Sequence, residues 1–503
     1  MRIVGIDFGT TTSAVAVAEN GEAVLLDDPS GRSLLPTVVY IPPTQQPVVG
    51  IAARNRLNLS PDRSFAGIKR LLGLNYQSEG AKSLAKLFGW TIHRGPNDAA
   101  AMNVDGHLWS AVDLAAEVFQ TLKQIAATRL DMPRVHAVVT VPAGFNHAQR
   151  KALIDAAERG GIQVERLMNE PTAAAIAYGL GARVGSRIAV FDLGGGTFDF
   201  TILEVQNNSF EVLSTTADAM LGSSDIDGAL VAYMADKLRE EHGLVVPQDK
   251  MSRLLPAAER IKIELSSKSS ASAAVAAKWV GTPSRAIYDV EVTRVALEQI
   301  ARPLIAKCMS GVRKGLQAAN LDIQDMDEVV LVGGGSLMPL VQQMNADFFQ
   351  KVPLHSIDPE RVVAIGAARW AEQMGRTSSP NIDSAAKLLD RSATGLGVAT
   401  VAGIVDYVIP PNARVPASGV RHFTTSVENQ TKIRLEVYQG TERRIEDCHT
   451  IGELVLDGLA PRPRGETSVE VTFVLDADGL VTISAVDGAS GVAQEAQLRS
   501  ATH

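Results

Sequence analysis

Ile6-Asp7-Phe8-Gly9-Thr10-Thr11-Thr12, at the start of the chain, and Phe191-Asp192-Leu193-Gly194-Gly195-Gly196-Thr197, near its middle, share one pattern. Each reads apolar residue, Asp, apolar residue, Gly, two small residues, Thr. A strand that ends in an acid and runs into a Gly-rich hairpin lets backbone N–H groups approach an anion closely, and the hydroxyls add donors. An Asp just before such a turn suits Mg²⁺, which keeps much of its hydration shell and is often held through water. Either loop alone reads most simply as a turn. The matched pair predicts two related α/β lobes facing one another, with loops that clasp the β- and γ-phosphates of a nucleotide and with Asp7 and Asp192 flanking the metal.

Outward from these loops, residues 1–373 alternate short apolar strands with helical periodicity, the texture of an α/β fold. Ile3–Phe8, Ala137–Val141, Ile188–Phe191 and Glu328–Val332 read as buried strands, and Ala111–Leu130 and Asn146–Gly160 as helices. A third glycine loop, Gly333-Gly334-Gly335-Ser336, follows the last of those strands with no acid before it, and suits a flat adenosine better than a phosphate. Residues 374–390 open with small and polar residues, which is linker composition. From 391 to 503 the period becomes two. Ile433, Leu435 and Val437 alternate with polar residues, as do Val469, Val471, Phe473 and Leu475, and Asp476-Ala477-Asp478-Gly479 turns the chain into a further strand. That pattern predicts a small all-β sandwich. No helical segment follows its last strand, so the expectation is a groove without a helical lid and with fast ligand exchange.

Composition narrows the function. A formal net charge of −8 argues against a nucleic-acid binder, which needs a basic face. Two cysteines far apart, Cys308 and Cys448, make neither a disulfide framework nor a metal site, and fit a reducing compartment. No apolar run approaches the ~18 residues that span a bilayer, and Met1–Asp7 lacks a signal-peptide core. A cytoplasmic location is expected, away from membranes.

The order of further motifs carries a family resemblance. Ile68-Lys69-Arg70, Val141-Pro142-Ala143-Gly144-Phe145-Asn146, Asn169-Glu170-Pro171-Thr172, Asp192 to Asp199, Lys262-Ile263-Glu264-Leu265-Ser266-Ser267, Ala364-Ile365-Gly366-Ala367-Ala368, Glu428-Asn429-Gln430 and Gln439-Gly440 resemble the seventy-kilodalton heat-shock chaperones of the DnaK type along nearly the whole chain. The resemblance implies an actin-like, two-lobed ATPase domain over 1–373, a linker over 374–390 and a peptide-binding β-sandwich over 391–503. It implies phosphate contacts from Gly9, Thr10, Thr11, Thr12, Gly194, Gly195, Gly196 and Thr197, and metal-water contacts from Asp7 and Asp192. Lys69 looks like the residue that positions the attacking water. Glu170, Asp199 and Thr197 look like its catalytic partners, with K⁺ beside Mg²⁺ and ATP/ADP. Glu259, Lys262, Ser266, Gly333, Gly334, Leu337 and Glu360 match the adenosine contacts, with Ile263 and Leu337 where some relatives place arginines that stack on adenine.

The same resemblance aligns Val398, Thr400, Val401, Ser426, Ile433 and Leu435 with a groove for extended hydrophobic polypeptide, although the plain reading of such residues is sandwich core. Pro142, Arg150, Arg166, Asn169, Leu388, Leu389 and Asp390 match positions that couple the domains or receive a J-domain co-chaperone. The implied protein is a monomeric heat-shock ATPase of the stress response that aids protein folding, with unfolded clients and a nucleotide exchange factor. A filament-forming actin-like ATPase and a small-molecule kinase of the same fold are the alternatives, and neither has a use for the β-domain.

Overall fold

The computed structural model describes residues 2–179, 183–206, 209–354, 356–377, 387–400, 402–488 and 493–496. Val401 and the linker stretch 378–386 lie outside the described residues. The chain is a mixed α/β protein that divides into two compact units. One holds residues up to Ala143 with Ala152–Lys387, and the other holds Gly144–Lys151 with Leu388 onward.

Two sheets of the first unit share a plan. In one, Val4–Phe8, Thr12–Glu19 and Glu22–Leu25 form an antiparallel meander, and Val135–Val141 and Ile162–Asn169 add in parallel beside Val4–Phe8. In the other, Arg187–Leu193, Phe198–Gln206 and Ser209–Asp218 form the meander, and Glu328–Val332 adds in parallel beside Arg187–Leu193. The two copies of the repeated motif thus occupy equivalent corners, each at the first hairpin of its meander. The structure extends Ala137–Val141 to Val135–Val141 and Ile188–Phe191 to Arg187–Leu193, and it trims the helix expected over Asn146–Gly160 to His147–Arg159. Such end shifts are set by tertiary pairing, which local pattern does not carry.

Burial explains why these residues form these elements. Ile6 and Phe8 are fully buried, and Phe8 stacks on Phe119 of helix Ala111–Leu130 at 4.7 Å between ring centroids. That helix starts where Ser110 and Asp113 cap each other and stops at Asp131 in the left-handed conformation. Over the second sheet, Phe191, Phe198 and Phe200 pack with residues of helices Ser223–His242, Leu255–Leu265 and Arg294–Ala319 in one apolar cluster. Helix Val362–Thr377 lies on the first sheet through a centre of small residues: Ala14 and Ala16 meet Ala364 and Ala368, with Leu25 and Leu34 packed against them. A Cβ on Gly5 would stand 2.2 Å from the backbone nitrogen of Ala368, and one on Gly366 would stand 1.7 Å from the carbonyl oxygen of Ala173. No helix among the described residues is long and apolar enough to cross a membrane.

The second unit contains two four-stranded antiparallel sheets. One runs Val405–Ile409, Gly395–Ala399, Lys432–Gly440, His449–Asp457; the other runs Ala417–Thr424, Ser468–Leu475, Val481–Asp487, Ala493–Ala496. Val469, Val471, Phe473 and Leu475 all point into its core, as their alternation predicts. Along Lys432–Gly440 the alternation holds at Ile433 and Val437 and then breaks, because the pairing shifts register between Val437 and Tyr438. That irregularity buries Tyr438 and Gln439 in succession, and the Gln439 amide donates to Thr394 Oγ1 at 2.8 Å.

Replacing Gly366 by Ala tests the helix contact. The new methyl has only backbone beside it, so helix Val362–Thr377 and the helix that carries Ala173, Glu170–Gly179, must separate. The expected loss is about 3 kcal/mol, the upper part of the range for overpacking, read as a lower urea midpoint with an unchanged slope.

Candidate functional site

The cleft of the first unit is built on the two glycine hairpins. At Gly9 a Cβ would sit 2.1 Å from the Thr12 carbonyl oxygen, so only glycine permits this tight turn. At Gly195 a Cβ would sit 2.1 Å from Thr11 Oγ1, which means that the two repeated loops touch each other. Each is held from outside. Thr37 N–H donates to the Thr11 carbonyl at 2.9 Å. Ser223 and Ser224, at the start of helix Ser223–His242, donate their N–H groups to the carbonyls of Gly194 and Gly195 at 2.9 and 2.8 Å. Gly9, Thr10, Thr11, Thr12, Gly194, Gly195 and Thr197 line a common cleft of about 180 Å³.

Below the loops lies a cluster of charge. Asp7 and Asp192 occupy the ends of the two central strands and line the cleft with Lys69 and Glu170. Lys69, about 1% exposed, makes an ion pair with Glu170 through Nζ and Oε1. Burial among protein atoms pushes the Asp7 carboxyl up to about 7. The Glu170 charge adds to this, and Lys69 and the Thr140 hydroxyl, 3.2 Å from Oδ1, partly offset it. Burial also holds Asp192 well above the usual carboxylate range, reinforced by Glu170, Asp199 and Asp7. Asp199 pairs with Asp192 across the ladder and is buried, but it does not line the cleft.

At the far end the third glycine loop closes the cleft. Gly333, with φ of +78°, approaches the Leu193 carbonyl so closely that any side chain would collide with it. Gly334, Leu337, Glu360, Glu259, Lys262 and Ile263 complete this wall. Burial raises the Glu360 carboxyl, with Asp358 adding to the shift. Ile263 is 56% and Leu337 40% exposed, large apolar groups left open at the cleft. Ser266 and Gly196 are not part of the lining. Ser266 ends its helix and donates Oγ to the Lys262 carbonyl at 3.3 Å, and Gly196 packs tightly against the Arg70 and Thr10 side chains.

Sequence reading missed four contributors. Asp227 receives Lys262 Nζ at 2.7 Å in a buried ion pair, and burial lifts its carboxyl to about 6. Arg54 binds Glu259 at 2.7 Å. Arg70, 2% exposed, joins Asp225 and the Met220 carbonyl, and so ties the segment after Gly67 to the helix that holds the second loop. Thr140 orients Asp7. None of these lies in a glycine motif or carries a periodic signature.

Charge decides what the cleft accepts. Its lining carries six carboxylates, Asp7, Glu170, Asp192, Asp227, Glu259 and Glu360, against two lysines, Lys69 and Lys262. A polyphosphate could not enter such a field without a cation. No three His, Cys, Asp or Glu side chains among the described residues could ligate an ion directly. Asp7 and Asp192, at the ends of the two central strands, are the residues that could accept from the waters of a magnesium ion.

The remaining predicted positions fall as follows. Pro142 is buried directly after strand Val135–Val141, Arg166 is half-buried on Ile162–Asn169, and Asn169 is buried at the end of that strand. In the second unit the Arg150 guanidinium donates to the carbonyls of Phe145 and Asp478 at 2.9 and 3.1 Å. Leu388 and Leu389 are half-buried, and Asp390 Oδ1 accepts from Arg391 N–H at 2.8 Å. Val398 and Ile433 belong to the sandwich core and Leu435 packs partly against it. Thr400 caps its loop by donating to the Ile404 carbonyl at 3.0 Å, and Ser426 is exposed in a loop closed by Gln430.

One comparison with known proteins bears on this geometry: the family model described as Hsp70 protein matches residues 3–503.

The raised acids make a pH prediction. A carboxyl whose folded value stands above its unfolded one favours the fold at low pH, and that contribution is lost as pH rises through about 7 for Asp7. In protein freed of nucleotide and metal, Asp7→Asn should raise Tm most above pH 7. The gain should shrink as pH falls towards 4, where the wild-type carboxyl is already neutral. Differential scanning calorimetry across that range measures it.

Proposed function

This chain belongs to the Hsp70 family, and from that premise we propose that it is an ATP-dependent molecular chaperone. The first unit binds and hydrolyses ATP, and the second holds unfolded or extended hydrophobic polypeptide. The observation that carries the reading is the contact of two matched glycine loops above a buried Lys69–Glu170 pair and two buried aspartates.

In this reading the two meander sheets are the centres of two actin-like lobes, and the nucleotide lies between their hairpins. Backbone N–H groups of Gly9–Thr12 and Gly195–Thr197 hold the β- and γ-phosphates, with Gly194 keeping the turn open beside them. Magnesium, when bound, supplies charge neutralisation at those phosphates, and K⁺ is a candidate second cation. Phosphoryl transfer needs positioning and charge neutralisation more than covalent help. Lys69 provides both, with its ammonium beside the γ-phosphate and its Glu170 pair fixing where it points. Glu170 orders the attacking water, and the Thr197 hydroxyl donates to the terminal phosphate. Asp199 acts one layer back, through the charge of Asp192. Adenosine lies along Gly333–Gly334 between the aliphatic side chains of Ile263 and Leu337, with Lys262 held by Asp227 towards the sugar.

In the β unit the bound segment lies extended beside Thr400 and Ser426, recognised by backbone hydrogen bonds with a side chain directed at Val398, Ile433 and Leu435. Leu388 and Leu389 carry the coupling between nucleotide and peptide, with Pro142 and Arg150. Arg166, Asn169 and Asp390 receive a J-domain co-chaperone.

Steady-state turnover tests the assignment. Lys69→Ala should lower kcat by about 10²–10³, the usual cost of removing one group that stabilises developing charge. ADP should still bind within a few-fold, because the loop N–H groups remain. Turnover at the wild-type rate would sink the assigned role.

A second measurement addresses the adenine walls. Leu337→Arg adds a guanidinium that can stack on the base, and a gain of about 1.4 kcal/mol slows ADP release tenfold. Stopped-flow release of a fluorescent ADP reads it, and an unchanged rate would mean that residue 337 does not face the base.

A further inference from the structure

A second chamber, of about 80 Å³, lies beside the nucleotide cleft and shares Thr10, Thr11, Asp227 and Glu259 with it. None of the roles assigned above uses it. Its lining has the make-up of small-molecule sites, which combine apolar walls with a few placed polar groups. Leu57, Phe88, Trp90, Leu255 and Pro256 supply the apolar lining. Phe88 and Trp90 are stacked, at 4.7 Å between centroids and 15° between planes, so they present a flat and rigid aromatic wall.

The polar groups define the occupant. Ser64 and Asp227 both line the chamber and are 3% and 4% exposed. Each retains a buried oxygen without a hydrogen-bond partner: Ser64 Oγ and Asp227 Oδ1. Leaving such a group unpaired is costly, so a ligand that supplies the missing donor gains affinity. Asp227 Oδ2 is already taken by Lys262, which leaves Oδ1 as an acceptor that calls for an N–H or O–H. The lining charges balance, with Arg54 and Arg253 against Asp227 and Glu259, and Arg54 is itself paired with Glu259. A neutral ligand is therefore favoured over a cation or an anion.

We infer that this chamber is a second small-molecule site, which takes a neutral, planar heterocycle bearing an N–H donor. The ring lies against the Phe88–Trp90 wall and the N–H reaches the unpaired oxygens of Asp227 and Ser64. Because Thr10 and Thr11 belong to both spaces, an occupant bears directly on the first glycine loop. Binding itself does not depend on the ATPase reading, so the two can fail separately.

The test is a ¹⁹F NMR titration of the full chain with 5-fluoroindole, with and without saturating Mg²⁺–ADP. The probe should bind in both conditions. Ala66→Phe, which fills the chamber from its lining, should weaken binding at least tenfold. Ser64→Ala should weaken it about threefold while raising Tm of the free protein, since it removes a buried unpaired hydroxyl; this variant keeps the test valid if the larger side chain disturbs folding. Absence of binding to the wild type, complete displacement by ADP, or affinity unchanged in both variants would overturn the inference.

Discussion

The lack of a side chain at Gly195 is the constraint on which the site depends. Two hairpins can meet at Thr11 and Gly195 only if one of them brings no Cβ, because any Cβ there would stand 2.1 Å from the Thr11 hydroxyl. The contact in turn places Asp7 and Asp192, each two residues before its hairpin, at the floor of one cleft. The carbonyls of Gly194 and Gly195 are consumed by the first N–H groups of helix Ser223–His242. The Gly194 N–H in turn donates to the Thr197 carbonyl at 3.0 Å, so the loop is held in place by its own chain.

That arrangement concentrates negative charge, and the protein contains it in two ways. Lys69 and Lys262 each bind one carboxylate in a buried pair, with Glu170 and Asp227. Such pairs add little net stability, because desolvation offsets most of the attraction, but loss of one partner leaves an uncompensated buried charge. The acids without a lysine of their own respond differently: the Asp7 and Asp192 carboxyls move upward and favour the neutral form. A divalent ion reverses that preference, because a nearby double positive charge stabilises carboxylates that burial alone disfavours.

The second unit shows how a binding reading and a packing reading can rest on the same residues. Val398 and Ile433 are core members, so substituting them disturbs the sandwich whether or not a peptide is held there. Thr400 and Ser426, in the loops, are the positions where a change has least effect on packing.

Local pattern in the chain was sufficient for the strands, the helix Ala111–Leu130, the alternation of Val469–Leu475 and the equivalence of the two glycine loops. Each of these depends on neighbours within a few residues: periodicity, a cap, or a turn that only glycine can make. Tertiary structure alone decided which charges meet. Arg54 and Glu259 are 205 residues apart, Lys69 and Glu170 101, and Lys262 and Asp227 35. It also decided that Asp199 and Ser266 stand outside the cleft lining, that Asp227 stands within it, and that a second chamber exists beside the loops. The physical reason is range. Backbone preferences are written in short segments, whereas an ion pair or a cavity is created where distant helices approach, and no spacing in the sequence measures that distance.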